Sequence, residues 1–205
     1  MNRRELLKLI TAATGVAFVS SNALAYDILP KVELSDTGFN KDDVAFFNEI
    51  GETIIPRTDT PGAKDAQVGS MMAVLVADCY TKDQQEVFRK GMKSLKAKSQ
   101  DKYGKDFLLL SKEQRLELLT TLDKEAREYN TERELYGVGT GLPSSRGPES
   151  EDPVPHYFSL MKQLVLFSFF TSSVGATKVM RYEAVPGRYN GDMEYKKGDK
   201  AWATT

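Results

Sequence analysis

A mainly α protein, with a compact helical domain, an extended N-terminal lead-in and an irregular C-terminal arm, is predicted by three features of the 205-residue sequence. Apolar residues recur at three- and four-residue spacing in successive stretches, as helices with one buried face require. Two Ser/Thr-x-x-Gln sequences match the capping box that opens a helix. An aromatic and aliphatic run near the C-terminal end is bulky on every side of a helical wheel, as a central helix would be. A composition of 40% apolar and 28% charged residues suits one globular domain with a real core.

The first 25 residues differ from the rest. Arg3 and Arg4 precede an apolar run from Leu9 to Val19, and Ala23 and Ala25 place small residues at the usual cleavage spacing. This is the pattern of a twin-arginine export signal, read by its translocase and delivering folded cargo to the periplasm. A membrane anchor fits less well, because Thr11, Thr14 and Gly15 interrupt a run shorter than the ~20 residues of a spanning helix. Residues 1–25 hold three basic residues and one acidic, so without them 25 basic and 28 acidic residues remain, a formal charge of −3. Such a balance gives no reason to expect a nucleic-acid partner.

Residues 26–181 are expected to form the helical domain. After a poorly periodic lead-in to Gly38, Asn40 or Asp42 is placed to cap a helix that carries Phe46, Phe47, Ile50, Ile54 and Ile55 on one side. Pro56 ends it. Thr58, Asp59, Thr60, Pro61 and Gly62 then make a corner, and Val68, Met71, Met72, Leu75 and Val76 predict a second helix ending near Tyr80. The lone cysteine, Cys79, has no partner within the chain and is expected to be a buried small residue, with a bond to another subunit as the alternative.

Thr81 with Gln84 and Ser111 with Gln114 open the next two helices. The first has Val87, Phe88, Met92 and Leu95 on its apolar side and a lysine-rich solvated face without an aromatic stacking series. The second has Leu116, Leu119, Leu122 and Ala126 and is expected to run to about Tyr136. Glycines from Gly137 to Gly147 then read as a surface loop. A dinucleotide fingerprint fails there, because Leu142 stands where the third glycine is needed and a charged helix, not a strand, precedes.

Between Pro153 and Ala176 lie Tyr157, Phe158, Leu160, Met161, Leu164, Val165, Leu166, Phe167, Phe169 and Phe170. Burial at the domain centre is the simpler reading. A helix shared between core and partner is the other, with Phe167 and Phe170 as candidate contacts. A membrane span is disfavoured by Lys162, Gln163, Ser168 and Thr171–Ser173. Residues 182–205 lack any amphipathic period and combine turn residues with Arg188, Tyr189, Tyr195 and Trp202, the residue types that binding hot spots prefer. An arm laid on another subunit is the functional reading, and an arm folded back on its own domain the alternative.

Candidate chemistry is sparse. Glu49, Glu52 and Asp59 can be drawn as a carboxylate cluster around the corner, yet acids beside Lys or Arg, with Asp59 serving turn amides, is the better account. His156, the single histidine, sits at a helix start where capping or packing explains it, although a site shared with a partner would also use it. An autonomous periplasmic ligand-binding module, or an enzyme using Glu49, Glu52, Asp59 and His156, is the alternative to a non-catalytic role.

The corner sequence Glu49-Ile-Gly-Glu-Thr-Ile-Ile-Pro56 followed by Thr58-Asp-Thr-Pro-Gly-Ala63 resembles the signature of gluconate 2-dehydrogenase subunit 3. The likeness extends to Ala77-Asp-Cys-Tyr80, Tyr157-Phe158, Phe170-Thr-Ser-Ser-Val-Gly-Ala-Thr177, Pro186-Gly-Arg-Tyr189 and Gly198-Asp-Lys-Ala-Trp202. That resemblance implies a non-catalytic small subunit bound to a large FAD-dependent dehydrogenase of the glucose-methanol-choline class, commonly with a cytochrome c carrying haem. Flavin, catalytic histidine and sugar pocket would belong to the large subunit, so no catalytic, cofactor or metal residue is assigned here. The closing tail is similar to forms found beside dehydrogenases of glucosides and related sugars. Supporting the folding, export and stability of the flavoprotein is the implied role.

Overall fold

The computed structural model describes residues 34–135, 154–185, 187–188 and 190–203. Within these lie five α-helices: α1 Lys41–Ile54, α2 Val68–Cys79, α3 Lys82–Tyr103, α4 Lys112–Glu132 and α5 Tyr157–Phe170. Three shorter helical turns punctuate them, a 3-10 turn at Leu34–Thr37, another at Phe107–Leu109 and a π turn at Gly175–Val179. The mainly α expectation holds. Of the lead-in, Leu34–Thr37 is helical where an extended chain was expected, because the Thr37 hydroxyl donates to the Leu34 carbonyl and accepts from the Phe39 amide. That small clasp turns Phe39, only 6% exposed, into the core.

Local chemistry places the helix starts. Asn40 caps α1 and Asp43 returns the bond, so the two satisfy free backbone donors reciprocally. Thr81 with Gln84 and Ser111 with Gln114 do the same for α3 and α4. α2 is different: Gln67 enters it at φ 51° without a side-chain cap, and Asn48 of α1 takes the Gly69 amide at 2.9 Å. One helix caps its neighbour. Gly104, at φ 65°, closes α3 in the left-handed region that glycine tolerates best.

α5 is the central element, packing against each of α1, α2, α3 and α4. Phe158, Leu160, Met161, Leu164, Val165 and Phe169 are all buried, and even Gln163 and Ser168 lie inside. Central burial thus holds for most of this run, while Leu166 and Phe170 are 37% and 40% exposed toward its C-terminal end. α3 meets it closely at Gly91, where a Cβ would lie 2.3 Å from the Tyr157 ring. Around α5 the aromatic side chains make edge contacts, Phe39 with Phe47 at 5.4 Å, Phe47 with Phe88 at 5.6 Å and Phe46 with Phe107 at 5.1 Å. Each fully buried phenylalanine contributes on the order of 2 kcal/mol of apolar transfer.

Charged links fasten the outside of the bundle. Asp123 of α4 accepts from Lys162 of α5 at 2.7 Å and from Arg127 of its own helix. Partial burial works against its charge, yet these two cations outweigh it and hold the carboxyl below its ordinary range.

Four expectations need correction. Met71 is 41% exposed and Leu116 is 56% exposed, because the neighbours of α2 and α4 cover a narrower stripe than the apolar spacing suggests. α4 stops at Glu132, short of Tyr136, where Glu134 takes a positive φ. Cys79 is exposed, not buried, because it is the last residue of α2 and faces away from the core that Tyr80 enters. The glycine-rich segment 137–147, the leader residues Arg3, Arg4, Ala23 and Ala25, and Tyr189 lie outside the described residues. No described helix is long and apolar enough to cross a membrane.

Candidate functional site: the corner and the C-terminal loop

The corner from Ile55 to Gln67 is held by one acid from α1 and one of its own. Glu52, in the last turn of α1, accepts the Arg57 amide through Oε1 at 2.9 Å and the Lys64 amide through Oε2 at 3.0 Å. Asp65 accepts the Gly62 amide at 2.9 Å and holds the Arg57 guanidinium with both oxygens. Gly62 has no room for a side chain, since a Cβ would stand 2.5 Å from the Arg57 nitrogen and 2.7 Å from Glu52 Oε2. The backbone is thereby folded around a carboxylate.

Glu49 does a related task deeper in. Its carboxylate pairs with Lys64 of the corner and with Arg115 of α4. Arg115, whose side chain is 12% exposed, also donates to the Phe107 and Leu108 carbonyls at 3.1 and 2.7 Å. Three segments distant in sequence are thus tied at one guanidinium. A half-buried pair of this kind is costly to break, because the survivor is left without its partner.

Glu49 and Glu52 are accordingly committed to Lys64, Arg115 and two amides. Asp59 is not the acceptor of turn amides, which corrects the sequence reading: its Oδ1 takes the Thr58 hydroxyl at 2.9 Å, and Glu52 and Asp65 do the work expected of it. Sequence spacing could not identify Glu52, because its two amide partners lie five and twelve residues away. Across from the corner, Lys178 of the π turn and Val174 just before it face Arg57, Thr58, Asp59, Thr60 and Pro61 over an open cleft of ≈ 380 Å³.

His156 caps α5. Its Nδ1 accepts the Phe158 amide at 3.2 Å, its own amide donates to Asn130 Oδ1 at 3.0 Å, and its ring lies 4.3 Å from the Tyr157 ring and 5.5 Å from that of Tyr129. Burial holds its pKa below the ordinary histidine value, nearby Lys98 adds to the depression, and Glu125 opposes it. An acceptor at Nδ1 fixes the proton of the neutral ring at Nε2. This histidine and the corner acids serve separate structural tasks. Among the described residues, no group of three or more His, Cys, Asp or Glu side chains is placed to hold a metal.

Of the other singled-out residues, Phe167 is half-buried against the core and Phe170 is 40% exposed at the end of α5. Beyond the π turn the chain leaves the bundle. Every described residue from Arg181 to Trp202 is exposed, with Tyr195 at 78% and Val185 at 80%. The segment nevertheless returns to its own start. The Arg181 amide donates to the Ala201 carbonyl and the Ala203 amide to the Arg181 carbonyl, both at 2.8 Å, while the Arg181 guanidinium lies 4.8 Å over the Trp202 ring. Arg188 is exposed on this loop.

The family described as gluconate 2-dehydrogenase subunit 3 matches residues 41–187, which takes in all five helices and the corner. The chain belongs to that family. Comparison with the curated proteins and with the solved structures returns no match.

Proposed function

We propose that this member of the gluconate 2-dehydrogenase subunit 3 family is the non-catalytic small subunit of a periplasmic FAD-dependent dehydrogenase acting on sugars of the gluconate or glucoside type. The observation that carries the reading is the family match over the whole helical body. Supporting it, the acids that a catalytic reading would recruit are engaged in holding the corner: Glu49 on Lys64 and Arg115, Glu52 on two backbone amides.

In this reading FAD belongs to the large glucose-methanol-choline-type subunit, and a cytochrome c with haem takes the electrons onward. The small subunit assists folding of the flavoprotein around its cofactor, then carries the folded pair through the twin-arginine translocase on the leader marked by Arg3 and Arg4. Such an escort needs an interface that outlasts transport, at or above the ~1,600 Å² of an ordinary stable contact. Phe170, Arg188, Tyr189, Tyr195 and Trp202 are the residues assigned to that interface, with Phe167 supporting Phe170 from the core side.

The test is export of the partner. Replacing Arg3 and Arg4 by lysine should leave the flavoprotein in the cytoplasm together with this chain, as read by flavin content and dehydrogenase activity of the periplasmic fraction. Undiminished periplasmic activity would remove the escort role.

A further inference from the structure

We infer that residues 182–201 form a latched docking loop, closed at its base by Arg181 and Trp202, which enters a hollow of a partner protein that has an apolar floor and charges of both signs at its rim. The inference rests on the proposed function in one respect, the identity of the partner as the flavoprotein subunit. It changes the part given to Trp202, from a contact to a positioning residue.

Five contacts converge on the base of the loop. Besides the two backbone bonds with Ala201 and Ala203 and the guanidinium over Trp202, Arg181 Nη1 reaches the Met193 sulfur at 3.5 Å, and Lys200 donates to the Lys178 carbonyl at 3.1 Å. Within the loop, Asp192 and Lys196 amides are taken by Asn190 and Asp199 side chains at 3.1 and 2.8 Å. Gly187 and Gly198 supply the left-handed turns, at φ 66° and 99°. The loop is thus shaped mainly by bonds within itself and at its base, with one bond from Lys200 to the π turn. Tyr182, Val185, Met193 and Tyr195 remain 47–80% exposed on it.

A loop that is ordered by its own base and apolar at its tips is prepared for binding, because the entropy of closing it has been lost before the partner arrives. Large aromatic side chains on such a support are the usual anchors of a protein interface. The charges select the kind of partner. Arg188, Lys196, Lys197 and Lys200 are balanced by Glu183, Asp192, Glu194 and Asp199, so an anionic bilayer finds no basic cluster to attract. A protein rim carrying both signs matches this balance. A second copy of the chain is a poorer host at its corner cleft, where charges and hydroxyls from Arg57, Thr58, Asp59, Thr60, Asp65 and Lys178 leave only Pro61 and Val174 as apolar lining.

The full chain, tagged and purified from its host with the flavoprotein subunit, supplies the material for the test. Tyr195→Ser and Tyr182→Ser should each weaken binding to that subunit by about tenfold or more, with the helical circular dichroism unchanged. Arg181→Ala should weaken it by about two- to fivefold, the worth of an exposed cation–π contact. Trp202 is the single tryptophan, so its emission reports the latch directly. In the free chain Arg181→Ala should shift that emission to the red, and complex formation should protect the wild-type indole from acrylamide.

If wild-type chain brings down no flavoprotein, the proposed function and this inference fall together. If it does, and both tyrosine variants bind as tightly as wild type, the inference alone falls. Unchanged Trp202 emission in Arg181→Ala overturns the latch. Loop-dependent flotation with phosphatidylglycerol vesicles, or loop-dependent self-association without the flavoprotein, would overturn the assigned partner class.

Discussion

The corner at 55–67 and the loop at 182–201 are both irregular segments rich in turn residues, yet they solve the backbone's polar requirements in opposite ways. At the corner, Glu52 of α1 and Asp65 reach the free amides, while Glu49 ties Lys64 of the corner to Arg115 of α4. The loop uses its own neighbours and its own base. One segment is part of the body because the body supplies its acceptors. The other projects from it and leaves Tyr182 and Tyr195 outside, where the proposed docking would use them.

That contrast separates stability from association, and variants can be chosen to break it. The largest loss of stability is expected in the core: Phe46→Ala removes a fully buried ring in contact with Phe47 and Phe107 and should cost about 3–5 kcal/mol in urea unfolding. Next comes Gly91→Ala. Its Cβ would collide with the Tyr157 ring, so a loss of about 1–3 kcal/mol is expected although alanine is the better helix former. A neutral or stabilising result would mean that α3 and α5 are not in close contact there.

Glu52→Gln tests the corner itself. The amide nitrogen cannot accept, so one of the Arg57 and Lys64 amides loses its acceptor, at a cost of about 1–3 kcal/mol. Hydrogen exchange should then quicken at those two amides before it does in α2 or α3. An unchanged exchange rate would show that the carboxylate is not what folds the turn.

His156 adds a pH signature to the stability. Its native pKa lies below the ordinary value near 6.5, so the unfolded chain binds the proton more readily. Stability is therefore fully present above about pH 6.5 and declines as the pH falls toward the native pKa, where Nδ1 is protonated and can no longer accept the Phe158 amide. His156→Asn keeps an acceptor at the cap and should remove this pH dependence, whereas His156→Ala should cost about 1 kcal/mol at neutral pH. A decline that persists unchanged in His156→Asn would assign it to another group.

Smallest in stability is the loop. Replacing 182–201 by a short Gly-Ser linker should shift the unfolding free energy by less than about 0.5 kcal/mol, as for other surface changes. Its effect should appear in complex formation. A large destabilisation would instead make the loop part of the body and erase the distinction drawn above.

The helix starts were legible because capping is local: Asn40, Thr81 and Ser111 find their partners three residues away. The central place of α5 was legible from bulk alone, since no solvent-facing helix would carry Phe158, Leu160 and Met161 on different sides. What escaped was long-range pairing. Asn48 capping α2, Glu52 folding the corner and Arg115 joining Glu49 to the Phe107 turn join residues from five to sixty-six positions apart, which no spacing rule records. Leu116 and Cys79 show a second limit, because periodicity gives the direction of an apolar face and not the width its neighbours cover. At the loop, residue types suggested binding, while the closure of Ala201 and Ala203 on Arg181 was invisible until the two ends were seen together.

The account stands on this chain being a subunit that serves a flavoprotein, and the most direct measurement is size-exclusion chromatography of the tagged chain from its host, with protein and flavin absorbance followed together and dye reduction by sugar assayed in each fraction. The expected result is one peak larger than the monomer that carries both flavin and activity, and a colourless, inactive monomer once the subunits are separated. A separated monomer that retains flavin and reduces the dye, or a chain that elutes only as a lone monomer, would contradict it.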